Sequence, residues 1–377
     1  MKKICFVAAT PLTIHFFFRP HLSALAKKFE VTLICNFKTD SYVPNLGLSV
    51  TQNDIEIERK ISLKKDLVAL FKLIQFFRAQ SFKLVVSVAP KAGLLSMLAA
   101  FFTRVPNRVH IFQGEVWASK RGIQRLILKY ADKLTATLAT HLLAVSQSEK
   151  LFLIEQGICS KTKINVLNHG SIGGVNLERY QFDAKTKDTI RAQLDIPQEA
   201  VVAIFVGRMN PDKGIYDLAK AFRSASLECA NLWLLCIGPD EDQVLPTVFK
   251  LLGESMNKTR VVGFVDNPQD YMMSADFICL PSYREGFPVV ILEAAALALP
   301  AVASKIYGVS DAVLDGSTGI LVDVADVEGL SAAIQRLVKN PSVRKKLGTD
   351  AQQRVRSSFS SEAVVSSYIN YFSDTLQ

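Results

Sequence analysis

Short apolar runs alternate along the chain with stretches in which apolar residues recur every three or four positions, a rhythm that predicts strands and helices in turn. Ile4-Cys5-Phe6-Val7-Ala8 opens it as a strand, broken at Pro11. A helix face follows through Phe16, Leu22, Leu25, Ala26 and Phe29, then a strand at Val31-Thr32-Leu33-Ile34-Cys35. Strands at 84–88, 108–112, 141–145 and 164–167 alternate with helices at 63–78, 91–103 and 121–138. The strands are apolar on both faces, as strands buried in a parallel sheet are. A doubly wound α/β domain is expected over residues 1–175.

The stretch 176–199 is polar, charged and contains Pro197, and reads as a linker. At Val201-Val202-Ala203-Ile204-Phe205-Val206 the βα rhythm restarts, with further strands at 232–237, 260–262, 275–280, 301–303 and 319–322. Helices at 327–339, 343–357 and 361–375 finish the chain. A second doubly wound domain is therefore expected over 200–355, facing the first across a central cleft. The helix in 356–377 is expected to cross back toward the first domain. Two domains of ordinary size suit a chain of 377 residues.

Composition is that of a globular protein, 49% apolar and 21% charged. The net charge of +9 conceals an asymmetry: residues 1–170 hold 24 Lys and Arg against 10 Asp and Glu, residues 171–377 hold 20 against 25. A basic first half suits nucleic acid, an anionic bilayer or an anionic substrate. Cys5, Cys35, Cys159, Cys229, Cys236 and Cys279 show no C-x-x-C spacing and read as reduced core residues of a cytosolic protein. Met1-Lys2-Lys3 before Ile4–Phe18 resembles the charged and apolar parts of a signal peptide. A first strand fits better, since no small-residue cleavage site follows and removal would delete the start of a βαβ unit. No uncharged run reaches the ~20 residues of a spanning helix, so any membrane contact is expected to be peripheral.

Candidate chemistry centres on Ser282–Ala294, where Glu285 and Glu293 lie eight residues apart across a strand exit and a helix start. Pro288 suits the first helical turn, and the N–H groups of Gly286 and Phe287 face the strand's carboxyl edge. Glu285 is expected on an exposed loop. Glu293, among Val, Ile, Leu and Ala, needs a partner, and ligand hydroxyls would serve. Taken alone, the two also fit a dipole-favoured carboxylate and an ordinary half-buried helix Glu. Gly207-Arg208-Met209-Asn210-Pro211-Asp212-Lys213-Gly214 follows the first strand of the second domain, at the edge where open α/β sheets bind ligands. Arg208 and Lys213 could clamp a diphosphate there; in isolation they also read as solvated loop charges. The run is neither a Walker loop nor G-x-G-x-x-G.

The Glu-x7-Glu pattern in its Gly-Phe-Pro…Leu-Glu-Ala context, with Gly207-Arg208…Lys213-Gly214, resembles glycosyltransferase family 4, retaining nucleotide-sugar enzymes of the GT-B fold. Pro90-Lys91-Ala92-Gly93-Leu94-Leu95, Ile111-Phe112-Gln113-Gly114-Glu115-Val116-Trp117, Ala144-Val145-Ser146 and Val166-Leu167-Asn168-His169-Gly170-Ser171 resemble the bacterial branch that builds lipid-linked capsule, O-antigen and N-glycan precursors. The resemblance implies transfer of an N-acetylhexosamine-type sugar from a UDP donor to a polyprenyl-diphosphate-linked saccharide, at the cytoplasmic face of the membrane. It implies that Arg208 and Lys213 hold the diphosphate and stabilise the charge growing there. Glu285 with the backbone of Gly286, Phe287 and Pro288 would hold the donor sugar, Glu293 the ribose, and Val265 would lie near the base. The leaving diphosphate is the implied base, and Glu285 is assigned no nucleophilic role.

Two positions depart from the family pattern. Ala9-Thr10-Pro11-Leu12-Thr13 stands where many relatives have a Gly-Gly loop, and Gln113 where many have His; Gln113 can hydrogen-bond a sugar but cannot act as a base. Thr10, Gln113 and His169 are the candidates for the acceptor or sugar side, His169 being open to either reading, while His110 in its strand reads as core. Asp240-x-Asp242 matches the pair of metal-dependent glycosyltransferases, yet Arg208 and Lys213 already supply positive charge, so no metal and no cofactor are expected.

Lys60, Lys64, Lys65, Lys72, Arg78, Arg104, Arg108, Lys120, Arg121, Arg125 and Lys129, interleaved with Phe71, Phe76, Phe77, Phe101, Phe102 and Trp117, suit docking on anionic lipid. Ordinary solvated helix faces are the alternative. No recognition motif supports nucleic-acid binding. Competing readings are a nucleotide-sugar epimerase of the same architecture, which lacks an evident acid/base pair, and an inactive sugar-nucleotide-binding subunit. Intact Arg208, Lys213, Glu285 and Glu293 argue against the latter, and Gln113 for it.

Overall fold

A computed structural model describes residues 1–38, 47–58 and 62–377; Lys60 lies outside them. The chain divides into two compact units, Met1–Gly174 with Ser361–Gln377, and Val175–Ser360. Among the described residues the first unit holds a seven-stranded sheet of β1 (Lys3–Val7), β2 (Glu30–Cys35), β3 (Thr51–Asp54), β4 (Leu84–Val88), β5 (Asn107–Phe112), β6 (His141–Ala144) and β7 (Ile164–Asn165). The order is β3-β2-β1-β4-β5-β6-β7 and every pairing is parallel. Its helices are α1 (Pro11–Thr13), α2 (Arg19–Leu25), α3 (Leu63–Gln80), α4 (Pro90–Phe102), α5 (Gly122–Leu138) and α6 (Gln147–Glu155). Ile4, Cys5, Phe6 and Val7 of β1 are fully buried because β1 pairs on both edges and helices cover the sheet.

The second unit repeats the plan with β8 (Val201–Val206), β9 (Leu232–Ile237), β10 (Thr259–Val262), β11 (Phe277–Leu280), β12 (Ala301–Ser304) and β13 (Gly319–Val322), in parallel order β10-β9-β8-β11-β12-β13. Its helices are α7 (Ala184–Gln193), α8 (Ile215–Glu228), α9 (Leu245–Leu252), α10 (Pro268–Met273), α11 (Val289–Ala296), α12 (Val309–Ala312), α13 (Val327–Lys339) and α14 (Pro341–Ser358). The last helix, α15 (Ser361–Thr375), clusters with the first unit, where Tyr368 sets its ring edge-on to buried His21 of α2 at 5.1 Å. In each sheet the strand order reverses beside the first strand, between β1 and β4 and between β8 and β11. Loops that leave adjacent strands in opposite directions open a crevice at the carboxyl edge there.

Several local expectations are corrected. Strand β3 was not anticipated: Thr51-Gln52-Asn53-Asp54 carries no apolar signal because it is an edge strand with mostly exposed side chains. The helix expected through Phe29 is α1, a wide π turn at Ile14–Phe18, and α2, which ends at Leu25. Helix α1 starts at Pro11, so the expected loop around Thr10 is only its entry. The polar stretch 176–199 carries α7, capped by Asp183, whose carboxylate accepts from the N–H of Lys185 and Thr186. Arg191 of α7 is buried and donates to the carbonyls of Ser274 (2.9 Å), Gln198 (2.7 Å) and Ala200 (2.9 Å) and to Asp276 (3.0 Å). Those bonds seat α7 on β8 and the entry to β11. Among the described residues no helix is long and apolar enough to cross a membrane.

Candidate active site

The second unit's crevice is built from loops packed backbone on backbone. After β8, Asn210 caps the short 3-10 turn Pro211–Lys213, its side-chain oxygen accepting from the Lys213 N–H at 3.1 Å. Gly214 ends the turn with φ +71°, and a Cβ there would lie 1.9 Å from the Pro281 carbonyl oxygen. Any side chain at 214 therefore pushes the β8 and β11 loops apart. On the other flank a Cβ on Gly308 (φ +78°) would lie 2.1 Å from the Gly286 carbonyl oxygen. Tyr283 ties the loops again, its N–H donating to the Asp212 carbonyl (2.8 Å) and its hydroxyl to Asp217 (2.5 Å).

This packing brings Lys213 and Glu285, 72 residues apart, into one ion pair: Nζ donates to Oε1 at 2.6 Å, and the hydroxyl of fully buried Ser282 donates to the same oxygen at 2.8 Å. Glu285 is only 9% exposed, which corrects the expectation of an exposed loop carboxylate. An ammonium and a hydroxyl on one oxygen offset the cost of taking the charge from water. Arg208 faces the β9 loop, where its Nη1 donates to Glu241 Oε2 at 2.5 Å and Asn210 Nδ2 donates to the same oxygen at 3.0 Å. Both cations singled out in the sequence thus hold carboxylates at the carboxyl edge. Glu241 was missed; only its neighbours had drawn notice. Asp240 caps α9, accepting from the N–H groups of Val244 (2.7 Å) and Leu245 (3.4 Å). Among the described residues no group of three or more His, Cys, Asp or Glu side chains is placed to hold a metal.

Further along, Gly286, Phe287 and Pro288 are buried, and Pro288 is extended (φ −78°, ψ 92°) just before α11, one residue short of the first turn expected for it. α11 stops at Ala296, before the expected Leu299, and Ala298 takes the left-handed conformation (φ +59°). Glu293, half-buried in α11, finds its partner in the Tyr180 hydroxyl, a residue of the supposed linker. Burial raises the Glu293 carboxyl above the usual range, while the Tyr180 hydrogen bond and the nearby Arg179 charge pull it back. Arg179 in turn donates to the Asp266 carbonyl (2.8 Å) and to Gln269 (3.1 Å), holding the loop that carries half-buried Val265. Tyr180 and Arg179 had no sequence signal beyond being an aromatic and a cation in a polar stretch.

In the first unit, Thr10 is buried ahead of α1 with its hydroxyl 3.3 Å from that of Thr13. Gln113 follows β5, half-buried, and its Nε2 meets no acceptor among the described residues. The buried carboxylate of Glu149, also missed, joins the β5 and β6 exits by accepting from the N–H of Gly114 (2.5 Å) and of Val145 (2.8 Å). His169 is exposed on a tight turn. His110 is core as expected: Ser87 lies 2.8 Å from its Nδ1, and burial pushes its imidazole down to about 3.

Of the residues expected to dock on lipid, Phe77 and Trp117 are buried, and Lys65 is neutralised by Glu56 and Glu58. Arg108 spends its guanidinium on the carbonyls of Leu138 (2.7 Å) and Val105 (2.6 Å).

Two Rossmann-like parallel-sheet domains, the second with Arg208 and Lys213 at its topological switch point, have the architecture of the GT-B glycosyltransferases. The chain belongs to the glycosyl transferases group 1 family, whose model matches residues 186–354. It is 30% identical over 313 residues to the capsular polysaccharide biosynthesis glycosyltransferase CapM of Staphylococcus aureus, covering 82% of this chain and 81% of that protein. It is 25% identical over 340 residues, 82% of this chain and 80% of the other, to an Escherichia coli UDP-Gal:alpha-D-GlcNAc-diphosphoundecaprenol alpha-1,3-galactosyltransferase. The fold is shared with Anabaena HepE solved with UDP and glucose, at TM-score 0.82 and 18% identity over 99% of this chain and 100% of that one.

Proposed function

We propose that this glycosyltransferase is a retaining, family 4 enzyme that moves an N-acetylhexosamine-type sugar from UDP to a polyprenyl-diphosphate-linked saccharide, at the cytoplasmic face of a bacterial membrane. The observation that carries the reading is the Lys213–Glu285–Ser282 cluster at the β8/β11 switch point, with Arg208 five residues before Lys213 on the same loop. A donor diphosphate seated there meets both cations, which stabilise it most when the sugar–phosphate bond has broken and the charge is fully developed. Glu285, fixed by two donors on Oε1, offers Oε2 to a sugar hydroxyl. Glu293 on α11 and Val265 on the loop after β10 would take the ribose and the base.

The acceptor hydroxyl's proton passes to the leaving diphosphate, so no side-chain base is needed and Gln113 is no obstacle. Retention is supported by the E. coli relative, named for a UDP-galactose donor and an α linkage; sugars in such donors are themselves α-linked. Two fixed cations also make a metal dispensable. A panel of UDP, GDP and ADP sugars tests this, with released nucleotide measured in the presence and absence of EDTA. A UDP-N-acetylhexosamine is expected to turn over at least about tenfold faster than its GDP and ADP counterparts, with or without EDTA. Activity lost to EDTA and restored by manganese removes the metal-free mechanism, and turnover of no donor removes the assignment.

A further inference from the structure

Helix α5 is amphipathic the wrong way round. Its buried residues are Asp132, Thr135 and Ala136, while Ile123, Leu126, Ile127, Tyr130 and Leu134 are exposed, Ile123 at 73% and Tyr130 at 67%. Their spacing of 3, 4, 7 and 11 from Ile123 places all five on one stripe, opposite the buried one. Asp132 points inward and accepts from the Trp117 indole at 2.7 Å. Helix α4 packs between α3 and α5, and α3 exposes a second set, Leu63, Leu67 and Phe71.

The charge on these helices has one sign. Asp66 and Asp132 are the only acids in α3, α4 and α5; the first is paired with Lys91 at 2.5 Å and the second is buried. Lys64, Lys72, Arg121 and Lys133 are exposed around the apolar side chains. A second copy of this face would bring like charges together, whereas acidic headgroups above an apolar layer complement both features.

We propose that the exposed stripe of α5, with the first turns of α3, is a membrane-docking surface for anionic phospholipid, and that Ile123, Leu126, Ile127 and Tyr130 insert among the acyl chains. The proposal rests on the lipid-linked acceptor read above and deepens it. α5 begins at the carboxyl edge of the sheet, nine residues after Gln113. Docking through its first turns therefore holds the candidate acceptor side near the headgroup plane.

Flotation with phosphatidylglycerol-rich vesicles and with phosphatidylcholine vesicles, for the wild-type chain and a Leu126→Glu/Ile127→Glu double variant, tests it. Both positions are exposed, so thermal unfolding and UDP release to water should match wild type. The wild-type chain is expected to float with the anionic vesicles, at least about tenfold more than with the neutral ones, and the double variant to lose about that factor. Equal flotation of the two proteins, or of wild type on the two lipids, overturns the proposal. So does a concentration-dependent dimer in sedimentation that the double variant abolishes, which would give the face to a second copy. Binding to anionic vesicles by a protein that turns over no nucleotide sugar supports the surface and removes the functional reading instead.

Discussion

Glu285 is held from two sides, by an ammonium from the β8 loop and a hydroxyl from its own, and that is what lets a carboxylate sit buried at the mouth of a sheet. Glu285→Gln keeps the Ser282 bond but removes the charge that Lys213 answers. Turnover is expected to fall about 100-fold or more with the circular dichroism spectrum unchanged; near-normal turnover would take the sugar-holding role from this residue. Asp132 supplies a pH test. Burial lifts its carboxyl from 3.8 to about 6, against the Trp117 hydrogen bond that lowers it. Because the folded value exceeds the unfolded one, its contribution is fully present below about pH 4 and is lost as the pH rises to about 6 and beyond. Asp132→Asn, neutral throughout and still an acceptor for Trp117, should match wild type in urea unfolding at pH 4 and exceed it by about 1–3 kcal/mol at pH 7.5. Glu285 and Glu293 both stood out in the sequence as candidates. Their pairings did not, since Lys213 lies on another loop and Tyr180, which holds Glu293, lies in a stretch with no periodic signal.

At the scale of elements, what was legible is what burial writes into a pattern. The apolar runs became β1, β2, β4 and the strands of the second sheet, because a strand covered on both faces is built mostly of apolar side chains. Edge strand β3 has almost nothing buried and so left no trace. Helix α5 was readable as a helix but not in its orientation: periodicity identifies an apolar stripe and assumes that it faces the core. Loop packing was also illegible, since a glycine is compatible with open space and with contact. Gly157 (φ +68°) has nothing within 4 Å of an added Cβ, whereas Gly214 meets the Pro281 carbonyl. In urea unfolding Gly157→Ala should therefore cost about 1 kcal/mol, the left-handed strain alone. Gly214→Ala should cost more than about 3 kcal/mol and weaken UDP binding as well. Equal costs would show that the β8–β11 contact is dispensable.

For the whole molecule, a single restart of the βα rhythm at Val201 was enough to foresee two parallel-sheet domains, and the basic first half located the helices whose exposed faces are apolar and cationic. The chemistry needed residues from separate loops, which a linear pattern does not join. Only motif resemblance anticipated that Arg208, Lys213 and Glu285 work together, and only the structure adds that Glu241 and Glu285 hold the two cations at the carboxyl edge.

The central claim is retaining transfer from a UDP sugar, and the anomeric proton of the first-formed product tests it most directly. With a UDP-N-acetylhexosamine and a polyprenyl-diphosphate-linked saccharide, NMR of that product should show the small H1–H2 coupling of an α linkage, matching the donor. A β-linked product, or a recovered acceptor that carries no new sugar, would contradict the account.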